Sequence, residues 1–463
     1  MKLKLRRLKE KDGPIFFSTA DPADSMTYRI VAGASLQREE EVRKFSLGFF
    51  VEDRTLYISS LFNFAILLFS SVVKNRFMGL NSVRLTYKSI NIGKFAVSMA
   101  LRHPDAYLNK VTYYERLLKF IFICVRNVDN FLCIRSSVRA CYVNEPYYTN
   151  GVYCELAAKF NIPLYHNTYP FRLSRFMFSN NEPSVKAFVV KPDEAADFDK
   201  EHIGRQILND IVTSTETIEY MSTVPFEARE VADFEADAIV YAHSFTDAQQ
   251  SFGGDAAFLN MYEWLLFTLK KLGDRKVILK AHPAFFREGY KAEVIKWDRA
   301  VFERLVSRIS GAPNLTVIDW PMRNVDLLKC VKKECVLISH HGNALVEGAG
   351  LGFRCISSLS SPWRRYNLFN TWQTQDEYAQ LLKDFRSLKV TDLEILYGYV
   401  FDLYKGESSF FHQDSWRQIV ARELGVPPVS ISQNKDILQN LSNTEVMRLI
   451  SIISKGIREV YLG

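Results

Sequence analysis

The residues able to do chemistry gather in a few short runs: HSFTD (243–247), HP (282–283), DWP (319–321), SHHGN (339–343) and, earlier, VNEPYY (143–148). In SHHGNALVEG, Gly342 and Asn343 stand where a helix would begin. A helix start leaves backbone amides free, and its dipole favours an anion. Gly342 lets a backbone approach a phosphate closely, and Ser339, His340 and Asn343 add side-chain donors. Glu347 follows one helical turn after Asn343, on the same face, where a carboxylate could accept from both hydroxyls of a ribose. The alternative is a polar helix cap with Glu347 turned to water. His282, with Pro283 fixing the turn, could donate to a phosphate oxygen or protonate a leaving group, with a core histidine as the competing role. Asp247 and Glu145 supply carboxylates at strand ends; for Asp247, helix capping is the competing role, and Glu145 would face a cleft between closed domains.

A metal site is not expected. His340 and His341 are adjacent, so on a strand they point to opposite sides. No HExxH run and no Cys/His set with zinc spacing is present, and the seven cysteines form no CxxC pair.

The elements that must position these residues follow a β-α-β-α rhythm. Strands are predicted at 238–245, 276–283, 315–319, 335–341 and 354–358, with helices at 257–273, 298–311, 324–331 and 344–352 between them. That order specifies a doubly wound α/β domain with ligands at the carboxyl ends of its strands. In the first half, strands are expected at 27–35, 83–90 and 139–148, a helix at 113–128, and a βαβ unit closing at 151–167. The glycines of GAGLG (348–352) fall inside a helix rather than before it, so they are a weak dinucleotide signal; no Walker loop or GxGxxG is present. Boundaries are placed at 1–225, 236–400 and 401–463, the last a helical tail.

Bulk properties agree. A chain of 463 residues exceeds one core, which stops growing near about 250–300 residues. A formal charge of +7 suits an anionic ligand better than nucleic acid, which would call for clustered Lys and Arg, so no nucleic-acid partner is expected. The basic start, MKLKLRRLKEK, reads as a solvated terminus rather than a membrane-contacting arm, and no signal peptide opens the chain. The apolar run at 61–73 is shorter than the roughly 20 residues a span needs; a buried helix is expected there, with an interfacial one as the alternative. The expected location is cytoplasmic, with a peripheral contact at the inner face of the membrane as a further possibility.

LKAHP (279–283) followed by SHHGNALVEGAGLG (339–352) resembles the motifs of bacterial surface-polysaccharide glycosyltransferases, nearest the β-Kdo transferases of capsule and lipopolysaccharide assembly. CDP-glycerol phosphotransferases and some bacterial sialyltransferases share the HP motif. The resemblance implies a GT-B fold, two Rossmann-like domains facing a cleft with a helical C-terminal tail. It implies that His282 contacts the donor phosphate, that Ser339, His340, Gly342 and Asn343 cradle it, and that Glu347 is the helix carboxylate. The segment 240–254 looks like the one that carries an acidic residue in those enzymes, matched here by Asp247, although HSFTD stands where the family has GQ. Family members retain configuration, which suggests a carboxylate nucleophile, Asp247, with Glu145 as base or acceptor orienter. Arg364 and Arg365 could clamp a sugar carboxylate or phosphate, with plain surface charge as the alternative. The implied donor is a CMP-sugar, CMP-Kdo first and CMP-sialic acid second. The implied acceptor is an oligosaccharide or lipid-linked glycan of a growing capsule or O-antigen, and no cofactor is implied. A CDP-alditol transferase and a non-catalytic sugar-binding scaffold are the alternatives.

Overall fold

Buried parallel strands are mostly apolar on both sides, and in the second half of the chain AIVY, VILK and VLI form strands that are buried at every position, with Lys280 the charged exception. The computed structural model describes residues 15–18, 44–45, 54–73, 79–136, 138–143, 148–162, 164–169, 172–176, 200–213, 234–247, 250, 257–286, 292–309, 311–359, 363 and 366–404. Its fold class is α/β, with two main sheets.

The first sheet runs β2-β1-β5-β6-β7, from β1 (Ile15–Ser18), β2 (Lys44–Phe45), β5 (Val138–Val143), β6 (Leu164–Tyr169) and β7 (Arg172–Phe176). Its pairs are parallel except β6 with β7, an antiparallel edge. The helices of this half are α1 (Arg54–Val73), α2 (Gly93–Ala100), α3 (Asp105–Leu108), α4 (Lys110–Ile134) and α5 (Gly151–Lys159). The core joins Leu117, Ile121, Val125, Val128 and Phe131 of α4 to Phe95 and Val97 of α2, Cys141 and Val143 of β5, and Tyr153 and Leu156 of α5.

Two expectations change here. Residues 83–90 do not form one strand: a 3-10 turn ends at Arg84, and a two-strand hairpin follows, β3 (Thr86–Tyr87) and β4 (Ile90–Asn91). Its two turn residues, Lys88 and Ser89, both take positive φ, the geometry whose twist matches a tight hairpin. The expected buried helix at 61–73 becomes α1, buried on one side only. Ser60 bonds the carboxylate of Asp129 on α4, while Ile58, Phe62 and Phe69 are 65%, 66% and 76% exposed. No helix among the described residues is long and apolar enough to cross a membrane. The strand expected at 27–35 lies outside the described residues.

The second sheet has six parallel strands in the order β10-β9-β8-β11-β12-β13. They are β8 (Ala238–Tyr241), β9 (Val277–Lys280), β10 (Leu315–Ile318), β11 (Val336–Ile338), β12 (Arg354–Ser358) and β13 (Asn370–Trp372). Counted from β8, this is the 3-2-1-4-5-6 order of a doubly wound dinucleotide-type fold, whose switch point lies between β8 and β11. Helices α7 (Met261–Leu272), α8 (Ala292–Ile309) and α11 (Gln375–Lys383) cover one side, through Trp264, Leu265, Leu305, Tyr378 and Leu382. On the other lie α9 (Asn324–Lys329), α10 (Ala344–Gly350), α12 (Leu393–Tyr404) and, from earlier in the chain, α6 (Lys200–Thr213). Although α6 precedes residue 225, its Leu208 is buried with Leu345 and Leu396 of this second core. The glycines of GAGLG serve packing here. A Cβ on Gly348 would come within 2.0 Å of Leu337 on β11, and one on Gly350 within 2.9 Å of Leu208 on α6.

Candidate functional site at the switch point

Three adjacent strands, β9, β8 and β11, deliver the site. Residues two apart along an extended chain share a side, and each strand contributes such a pair: Lys280 and His282, Tyr241 and His243, Ser339 and His341. The deeper members form one layer and the three histidines a layer above it. The His243 ring centroid lies 5.2 Å from that of His282 and 4.1 Å from that of His341.

All three imidazoles are held below their ordinary pKa. Burial is the first cause in each case; for His282 the neighbouring His243 and Lys280 add to it, and for His341 the other histidines do. For His243, burial is partly offset by Asp247, whose Oδ2 is 4.0 Å from His243 Nδ1. The His282 proton can be placed: the backbone N–H of Ala284 donates to His282 Nδ1 at 3.2 Å. An amide only donates, so Nδ1 offers its lone pair and the ring proton sits on Nε2. Protonating Nδ1 would set donor against donor, which reinforces the depressed pKa.

The adjacent pair His340 and His341 lies just past β11, in a bend where the two rings touch each other but meet different surroundings. His340, expected among the phosphate donors, is turned into the core instead, edge-on to Trp264 and Trp372. Its Nδ1 meets His341 Nδ1 at 2.7 Å, so the tryptophan-packed ring also orients its neighbour. It is His341 that joins the other two histidines.

Ser339 is 1% exposed, and its Oγ accepts the Gly342 N–H at 3.1 Å. The hydroxyl and that amide therefore close the turn rather than facing outward. Asn343 is exposed and caps the seven-residue α10 without a side-chain bond. Glu347 is engaged from below: Asn324 Nδ2 donates to its Oε2 at 2.7 Å. Burial raises the Glu347 pKa, against the pull of Asn324 and Lys280. Buried Lys280 is pushed down to about 8 by desolvation, with Glu347 opposing. Glu145, Arg364 and Arg365 lie outside the described residues.

The turn that carries His243 and Asp247 is held from two directions. Asp298 on α8 accepts from Ser244 Oγ at 2.5 Å and from Thr246 N–H at 2.8 Å. Burial raises the Asp298 carboxyl to about 7, and the bonds from Ser244 and Thr246 oppose the shift. From the first domain, the Tyr107 hydroxyl donates to the Phe245 carbonyl, and the Tyr148 hydroxyl to the Thr246 carbonyl at 3.2 Å. Of these residues, sequence reasoning missed His243, His341 and Asp298 as site members. The first two could have been found by asking which polar residues follow neighbouring strands of the doubly wound order.

No family model matches this sequence, and no curated protein matches it. Among solved structures, the chain is similar to KpsC of Thermosulfurimonas dismutans, a beta Kdo 2,4 transferase, at 12% identity; the match covers 57% of this chain and 79% of that chain, with a TM-score of 0.34. It is also similar to the UDP-GlcNAc 2-epimerase of Methanocaldococcus jannaschii in complex with UDP-GlcNAc and UDP, at 12% identity over 67% of this chain and 96% of that chain, with a TM-score of 0.27. Similarities this distant carry no information on substrate.

Proposed function

We propose that this chain is a glycosyltransferase taking its sugar from a nucleotide-activated donor held at the switch point of the second sheet. The observation that carries the reading is the convergence of His243, His282 and His341 at the carboxyl ends of β8, β9 and β11, where the strand order reverses. Crevices at that place in open α/β sheets are where ligands bind. The HP motif supports a CMP-sugar, with CMP-Kdo as the donor and a growing bacterial surface glycan as acceptor.

The chemistry follows from the His282 tautomer. When the sugar–phosphate C–O bond breaks, the electron pair stays on the phosphate oxygen. His282 Nε2–H is a neutral, oriented donor that can bond that oxygen as its charge grows. Lys280, one layer below, adds a positive field.

The test is thermal stabilisation by CMP, CDP and UDP, followed by measurement of CMP released from CMP-Kdo. A ligand at about 100 times its Kd adds roughly 2.7 kcal/mol. CMP is expected to stabilise the chain, and His282→Ala to remove most of that gain. Stabilisation by UDP alone would overturn the donor; no response to any nucleotide would overturn the class.

A further inference from the structure

We infer that His243, Asp247 and His341 form a binding site for one borderline first-row divalent cation of the Zn²⁺ type. One ligand-capable atom from each residue lies within 4.8 Å of those from the other two. Two imidazoles and one carboxylate are a donor set such cations favour, with at least one coordination position left for a non-protein ligand.

His340 is no ligand, because its ring is packed against Trp264 and Trp372 and its Nδ1 is engaged with His341. His341 and His243 instead follow strands nearly a hundred residues apart in sequence and next to each other in the sheet.

Each ligand has a support behind it, as metal ligands require. The His341 ring is fixed by the 2.7 Å bond to His340, which is itself wedged against Trp264 and Trp372. The turn bearing His243 and Asp247 is fixed by Asp298 through Ser244 and Thr246. For bonds of roughly 2.1 Å, tetrahedral ligands stand about 3.4 Å apart, so atoms that lie within 4.8 Å of one another close by no more than about 1.4 Å. Asp247, whose side chain is 35% exposed, has room to supply that movement by rotation.

One position is left to a non-protein ligand, and His282 is the next ring along from His243. That this position takes a donor phosphate oxygen rests on the glycosyltransferase reading; the cation site does not. With Asp247 as a ligand, its carboxylate is not the nucleophile of glycosyl transfer, so the two roles exclude each other.

The experiment titrates chelator-treated full-length protein with Zn²⁺ by calorimetry and with Co²⁺ by visible absorption. The expected result is one cation per chain and Co²⁺ bands of a low-coordinate nitrogen/oxygen site, without the thiolate charge-transfer band that exposed Cys133 would give. Asp247→Asn and His341→Ala should each weaken binding at least tenfold, while His202→Ala on α6 should not. Asp247→Asn keeps the test valid if His341→Ala fails to fold. Unchanged affinity in Asp247→Asn, or a Co²⁺ spectrum lost with Cys133→Ser, overturns the site. Adding CMP to the Co²⁺ form should change the spectrum. If CMP stabilises the protein and the spectrum stays constant, the phosphate contact is overturned and the cation site stands. If CMP does not bind at all while Co²⁺ does, the nucleotide reading fails alone.

Discussion

Two layers of polar side chains rise from the same three strands, two residues apart, and they behave differently. The lower layer, Tyr241, Lys280 and Ser339, is sealed. Its lysine faces the field of Glu347, Glu347 is bonded to Asn324, and the Ser339 hydroxyl closes a turn. The upper layer, His243, His282 and His341, is only half-buried, and its rings are neutral. A polar residue at a strand end is therefore not yet a site. What separates the layers is how their hydrogen-bonding capacity is used. Glu347 and Ser339, expected at the phosphate, bond within the protein, whereas His282 keeps an N–H directed away from its backbone partner.

The largest expected effect comes from the packing behind His340. Trp372 is 1% exposed and stacks on Tyr378 at 4.1 Å between ring centroids. Trp372→Ala should cost about 3–5 kcal/mol in chemical denaturation. Because His340 leans on that indole, the same variant should lose cation affinity beyond its loss of stability.

Next in size is His282→Ala, an upper-layer change. Removing one aimed donor costs roughly 10²–10³ in rate, so kcat/KM for CMP release from the donor should fall by that factor while the denaturation midpoint moves little. A large stability loss instead would assign His282 to the lower layer's structural role.

The third expected effect is in pH. Asp298 is released from its proton near its ordinary value in the unfolded chain, but only at about 7 in the folded one. Between those values the folded state binds more protons, so stability falls as pH rises from roughly 4 to 7, by a few kcal/mol at most. Asp298→Asn should flatten that slope in urea midpoints measured across the window. An unchanged slope would show that the hydrogen bonds from Ser244 and Thr246 cancel the cost of burial.

The smallest is Asn324→Ala, which leaves the Glu347 carboxyl without its donor. An unsatisfied buried acceptor costs about 1–3 kcal/mol, seen in denaturation with nucleotide affinity unchanged. A selective loss of nucleotide affinity would return Glu347 to the binding site.

The α/β alternation of the second domain was legible because each buried parallel strand is an apolar run between helix patterns. Strand β13 was not, since Asn370-Thr371-Trp372 is short and mostly polar; it becomes a strand by pairing with β12. The one-sided burial of α1 was also out of reach, because an apolar run of that kind reads the same whether one side or both are covered. Within the site, His282 was legible from a local motif. His243 and His341 carry no local motif; their meeting depends on β8 and β11 lying side by side, which only the doubly wound strand order supplies. His340 was read as a donor because local order cannot say which of two adjacent rings meets tryptophans from elsewhere in the chain.

The hydroxyls of Tyr107 and Tyr148 reach from the first domain to the backbone of Phe245 and Thr246, inside the turn that holds His243 and Asp247. Separating the domains would strip two donors from that turn, so the free energy of domain opening and the free energy of ligand binding share a term. By linkage, a ligand that tightens the turn draws the domains together, and an acceptor that draws them together raises affinity for that ligand by the same factor.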